Sequence, residues 1–183
     1  MLYFKENKEE LIGITIGLSL ATVAIFSMRR LLKSKNKIIN YYGNKGALPA
    51  SYPRGVRNNN PGNIRKSDEA WIGKIPHEKN TDPDFEQFYN YTHGVRAMIV
   101  LLYGYFKDDR DTIKEIIEVY APSHENDTDQ YIDNVSKWTG WNKRKKIDWN
   151  DTNLKKLVFA IIRQENAGFY LTHAHFSTAW QMV

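Results

Sequence analysis

Residues 11–28, LIGITIGLSLATVAIFSM, contain no charged side chain, and no other feature limits the fold of this chain as strongly. A run without a polar face cannot form one side of an amphipathic helix on a water-facing core. Its length is at the lower end for a helix that spans a bilayer. Gly13, Gly17, Ser19, Ala21 and Thr22 are small residues of the kind with which membrane helices pack. A cleaved signal peptide would carry its positive charges before the apolar run, but Arg29, Arg30, Lys33, Lys35 and Lys37 come after it. The expected organisation is an uncleaved single-pass anchor at 1–32, with a transmembrane helix at about 11–28, then a polar linker at 33–53 and a folded domain at 54–183. In a cell membrane the positive-inside rule would keep that domain on the cytoplasmic side.

The chain has no cysteine, which excludes disulfides and thiolate metal sites. With 42% hydrophobic and 13% aromatic residues, the domain can bury a core. The formal charge of +5 suits an anionic polymer or surface such as nucleic acid, acidic lipid or cell wall, and an ordinary basic surface accounts for it equally well.

The domain reads as mainly α. Val95, Met98, Ile99, Leu101, Leu102 and Tyr105 recur at helical spacing and predict a helix over 94–106. Thr112 with Glu115 three residues on predicts a capping box, and the helix it starts must stop before Pro122. Residues 128–138 place Tyr131, Ile132 and Val135 on one face. Asp151 or Thr152 is the expected cap of a helix ending at Glu165, and a short last helix is expected over 172–182. The segment 71–88, with Gly73, Pro76, Pro83 and scattered aromatics, reads as a loop or a small irregular hairpin.

Glu165 stands out for chemistry. It ends the apolar run of Leu154, Leu157, Val158, Ile161 and Ile162, on the same helical face. An apolar setting disfavours an ionised carboxylate, and the negative end of the helix dipole acts in the same direction. Both would prepare a general acid for work near neutral pH. The alternative is a structural glutamate bonded to backbone amides or paired with a base such as Arg163. A second feature, RNNNPGNIR at 57–65, is a turn whose asparagine amides can both donate and accept, for a carbohydrate or only for the turn's own backbone. Trp138, Trp141 and Trp149 around NKRKK form a patch too short to mark a nucleic-acid site, and no specific nucleic-acid partner is expected. No metal site and no cofactor are expected, since HAH at 173–175 lacks a partner at metal-ligand spacing.

The blocks RGVRNNNPGNIR, WIG, DPDFEQF, GVRAMIVLLYGY, YAPSHENDTDQYI and IIRQENAGFY together resemble the small lysozyme-like, virion-associated proteins of phages and prophages, over about 54–180. AIIRQENAG is also similar to the end of the catalytic helix in the wider lysozyme and lytic-transglycosylase superfamily. There the glutamate helix comes first in the glucosaminidase-like branch; in this chain it comes near the end, an order that a circular permutation would explain. The resemblance implies an α+β lysozyme-like fold.

It also implies a membrane-anchored virion component that cleaves the glycan strands of bacterial peptidoglycan, as a lytic transglycosylase or muramidase, to penetrate the cell wall. Glu165 matches the general acid. Asp82 is the first candidate for a second carboxylate, with Glu78 and Glu125 behind it. Asn59, Asn63, Trp71, Tyr91 and Tyr170 are the expected sugar-binding residues. The partners implied are peptidoglycan, a virion or host lipid membrane, and other virion proteins. The virion membrane is favoured because it avoids the orientation conflict. The alternative is a non-enzymatic structural virion protein on the same fold.

Overall fold

The computed structural model describes residue 48, residues 50–167 and residues 173–183, all within one unit, Lys45–Val183. Among them the helices are, in order, α1 Arg54–Arg57, α2 Tyr91–Lys107, α3 Ile113–Tyr120, α4 Thr128–Thr139, α5 Asp151–Glu165 and α6 His173–Trp180.

Helices α2 to α5 each start where a short polar side chain satisfies an otherwise orphaned amide. Asn90 accepts from the His93 amide at the start of α2. Thr112 and Glu115 form the capping box of α3, and Asp127 accepts from the Gln130 amide at α4. The cap of α5 is Asn150, which accepts from Asn153, rather than Asp151 or Thr152. Asn150 has the extended backbone that a cap needs, with φ −153° and ψ 162°, whereas Asp151 is already the first helical residue. Helix α4 ends at Gly140 in the left-handed region, φ 73°.

The core lies where α2 packs on α6, α3 on α4 and α4 on α5, with α2 also touching α5. Val95, Met98, Ile99 and Leu102 of α2 and Leu154, Leu157, Val158, Ile161 and Ile162 of α5 are buried. Burying each such side chain contributes about 1.5–3 kcal/mol before the entropy of ordering it is counted. Trp149 belongs to this packing, with ring centroids 4.9 Å from Tyr103, 5.0 Å from Phe106 and 6.1 Å from Trp180.

The expected fold class needs two corrections. First, the α+β lysozyme-like architecture, permuted or not, is not what forms: among the described residues there is no strand, only the isolated antiparallel bridges Arg65–Phe85, Lys74–Phe88 and Thr112–Lys146. Around Arg65–Phe85 the bonds are Lys66 N to Asp84 O and Glu86 N to Ile64 O, and around Lys74–Phe88 they are Ile75 N to Gln87 O and Tyr89 N to Gly73 O. The Arg65–Phe85 ladder does not extend, because the Asn60 side chain takes the place of its next rung, and the opposite edge of Phe88 is bonded to the NNN turn. Asn60, fully buried, donates to Ile64 O and Glu86 O and accepts from Ile64 N. Asn59 donates to Phe88 O, and the Asn58 carbonyl accepts from Phe88 N. Second, among the described residues no helix is long and apolar enough to cross a membrane. The stretch 11–28 lies outside the described residues, so the expected transmembrane span has no support from the fold.

Candidate active site

Glu165 is the last residue of α5, and the next two residues turn the helix end into a joint. Asn166 is buried, caps the helix through its amide to Ile162 O, and extends its side chain to Pro61 O at 2.7 Å as well as to Ile162 O at 2.9 Å. Ala167 then takes the left-handed conformation at φ 50°, which ends the helix. The helix terminus is thereby fastened to the NNNPGN turn.

On that turn Asn63 also has a positive φ, 46°, a conformation asparagine tolerates better than most residues. Its Nδ2 donates to Glu165 Oε2 at 2.8 Å. The other carboxylate oxygen, Oε1, accepts from Tyr131 Oη at 2.7 Å. Tyr131 is buried in α4, edge-on to Tyr120 at a centroid distance of 6.5 Å, and Tyr120 in turn donates its hydroxyl to Gly62 O. Both oxygens of Glu165 are therefore held by side chains.

Burial pushes the Glu165 carboxyl above its ordinary range, and the bonds from Tyr131 and Asn63 oppose this without cancelling it. The tyrosines respond in the matching sense. Burial, reinforced by the negative charge of Glu165, raises both the Tyr131 and the Tyr120 hydroxyl well above the usual phenol value, so both remain donors at any physiological pH.

Gly62 is required by this arrangement. A Cβ there would lie 2.6 Å from Tyr120 Oη and 3.2 Å from Met98 Sδ. Gly62→Ala is expected to displace the Tyr120 hydroxyl and, through its ring, Tyr131, with a loss of about 1–3 kcal/mol typical of overpacking. Urea unfolding of the variant checks this.

Glu165 opens onto a cleft of about 610 Å³ whose lining includes Asn63, Trp71, Tyr120, Glu69 and Glu125. Trp71 Nε1 is buried and has no acceptor among the described residues. Glu125 is tied to Arg65, also in the lining, by an ion pair of 2.6 Å. Among the described residues no three His, Asp or Glu side chains gather as metal ligands would.

The structure thus brings together Glu165, Asn63 and Trp71 of the expected residues, with Glu125 as a carboxylate that shares their cleft. The others lie elsewhere. Asp82 is buried outside the cleft lining, where Arg54 donates to both of its oxygens at 2.7 Å and Asn58 donates at 2.7 Å. Burial alone would raise its pKa, but Arg54, Asn58 and the Phe85 and Asp84 amides outweigh it and hold the carboxyl below the usual range. A carboxylate this fully engaged cannot serve as a proton acceptor, and its role is to fix the loop. Glu78 is exposed on the 71–88 loop. Asn59 is spent on Phe88 O. Tyr91 is only 2% exposed and packs edge-on to His175 in the core. Tyr170 lies outside the described residues.

Sequence reasoning missed Tyr131, Tyr120 and Asn166 as site residues. Tyr131 was visible only as one residue of an apolar helix face. A tyrosine on such a face is itself a signal, because its hydroxyl needs a partner once buried.

These features define a small helical protein with a glutamate held at a helix end in the wall of a polar, aromatic-lined cleft. The chain matches no family model. Protein P5 of Pseudoalteromonas phage PM2 is 39% identical to it over 117 residues, which cover 62% of this chain and 71% of that protein. The chain belongs to the family of that phage protein.

Proposed function

We propose that this phage protein is a virion-associated lytic enzyme that cleaves the glycan strands of bacterial peptidoglycan, as a lytic transglycosylase. The observation that carries the reading is Glu165, a carboxyl with its pKa raised by burial, positioned by Asn63 and Tyr131 and open to a cleft. The support comes from the site and not from the architecture, since a fold by itself does not assign an activity.

In this reading Glu165, protonated, donates to the glycosidic oxygen as the bond between the two amino sugars breaks. The resulting carboxylate then takes the proton from the C6 hydroxyl of the muramic residue as that oxygen bonds to C1. An anhydro ring closes, Glu165 is again protonated, and no water is consumed. One acid that turns base suffices, which fits a cleft where Glu125 is engaged by Arg65. Asn63 fixes the carboxyl plane, and Trp71 offers a ring for the sugar's apolar face.

The test is zymography of the full chain on purified cell walls, with mass analysis of the released fragments. Anhydro-muramic ends are expected. Free reducing ends would instead require a base for water, with Glu69 and Glu125 the further carboxylates in the cleft lining. No clearing at all would sink the enzymatic reading in favour of a structural virion protein.

A separate prediction concerns Tyr131→Phe. The lost hydroxyl removes one of the bonds that hold the Glu165 pKa down. The basic limb of the rate profile, where the general acid is lost, should therefore move to higher pH. A profile measured across neutral pH that keeps its wild-type position would remove Tyr131 from the control of the acid.

A further inference from the structure

The outer face of α5 carries a second groove that the Glu165 chemistry does not use. It encloses about 320 Å³ and is lined by Lys155, Lys156, Phe159 and Arg163 of α5, with Trp138 from α4 and His173 from α6. Residues 152, 155, 156, 159 and 163 form one stripe along the helix. Arg163 and Glu165 are two positions apart, about 200° around a helix of 3.6 residues per turn, so the groove and the cleft lie on opposite faces.

The groove is cationic, and its charges are oriented. The Arg163 guanidinium sits 4.3 Å above the Trp138 ring. Lys155 lies 5.8 Å from the Phe176 ring and Lys156 5.4 Å from Trp141. No carboxylate is among the lining residues, and among the described residues neither Lys155 nor Lys156 has an acidic partner within ion-pair distance. By contrast, in the NKRKK run that looked like the basic patch in the sequence, Lys143 and Lys146 are neutralised by Asp133 and Asp111.

Charge complementarity calls for an anion, and the dimensions narrow its class. From Lys155 to Arg163 the helix rises about 12 Å at 1.5 Å per residue. That matches about three to four residues of extended peptide at roughly 3.3 Å each. A polymer-tracking nucleic-acid groove combines a longer cationic path with ring faces open to bases. In this groove Arg163 takes a face of Trp138, and Phe159 packs on His173 and Phe176 at 5.2 and 6.3 Å.

We propose that the α5 groove is a second binding site, for a short carboxylate-bearing peptide, and that its occupant is the peptide stem of peptidoglycan. The choice of stem rests on the glycan-cleaving reading above. With the glycan strand in the cleft and a stem held on the far side of α5, the protein would grip the wall at two places.

The probe is the free tetrapeptide stem, L-Ala–D-Glu–diaminopimelate–D-Ala, titrated into the full chain by NMR or calorimetry. Binding that weakens at least tenfold in the double variant Lys155→Glu, Lys156→Glu, and persists in Glu165→Gln, is expected. Both lysines are at the surface, and far-ultraviolet circular dichroism confirms that the variant folds. An absence of stem binding by the wild type, or equal binding by the double variant, overturns the proposal, as does a single-stranded oligonucleotide that binds at the groove where the stem does not. Because titration needs no turnover, stem binding without cell-wall clearing would keep the groove and discard the lytic activity. Clearing without stem binding would do the reverse.

Discussion

Glu165→Gln is expected to lower cell-wall clearing by about a thousandfold while leaving the fold at least as stable. General acid catalysis contributes roughly 10²–10⁴-fold in rate, and in this cleft one group is asked to serve as both acid and base. Glutamine matches the shape and can keep both contacts: its oxygen can accept from Asn63, and its amide can donate to the Tyr131 hydroxyl. The stability effect arises from proton linkage. The folded pKa of Glu165 is raised above its unfolded value, so its contribution to stability is full below about pH 4.3, the unfolded value. It is lost as pH rises through the folded value. Glutamine never ionises. The variant should therefore unfold at an equal or higher temperature than wild type near neutral pH, and the difference should vanish in acid. Zymography and thermal melts at two pH values check both halves. A variant that clears walls as the wild type does would remove Glu165 from the mechanism.

Asp82→Ala is expected to do the opposite, with a large loss of stability and little loss of chemistry. Asp82 accepts from Arg54 at both oxygens, from Asn58, and from the backbone amides of Asp84 and Phe85. Truncation leaves Arg54 paired with Asp84 alone, strands the Asn58 amide and frees the loop that carries Phe85. Removing one partner of a fully buried ion pair costs about 3–5 kcal/mol. Arg54 is 36% exposed and keeps Asp84, which puts this case below that range, about 2 kcal/mol, or roughly 6 °C in melting temperature. The folded pKa of Asp82 is depressed, so its stabilisation is present above about pH 3.9, the unfolded value. It fades as pH falls through the folded value, and the gap between variant and wild type should narrow in acid. At a temperature where the variant remains folded, it should keep most of its clearing activity. Loss of activity with normal stability would return Asp82 to the reaction.

The contrast between these two carboxylates shows how much the sequence carried. Glu165 was legible because three signals coincide there: an apolar periodic face, a helix end, and a carboxylate where a cation is usual. The capping box at Thr112 and the stop before Pro122 were legible for the same reason, since they depend on residues a few positions apart. Asp82 misled because a carboxylate in an aromatic loop looks the same whether it faces a cleft or an arginine. Its partner Arg54 is 28 positions away, beyond any local pattern. Tyr91 was misplaced in the same manner, because an aromatic residue that borders a sugar-binding motif in sequence can be core in space. The absence of strands among the described residues was hidden too. The 64–66 and 84–86 segments do pair, but the Asn60 side chain of the NNN run closes the ladder after one rung.

The joint between the NNNPGN turn and the end of α5 bears on the timing of activity. Asn63 reaches Glu165 across 102 positions, and Asn166 reaches Pro61 across 105. During synthesis the turn leaves the ribosome long before the acid that it will hold. A chain that stops between them has the turn but lacks Glu165. Contacts this distant in sequence form late because the intervening loop must first be closed. If the proposed lytic activity holds, the protein would remain harmless to the cell that makes it as a nascent chain, and become a hazard only when whole.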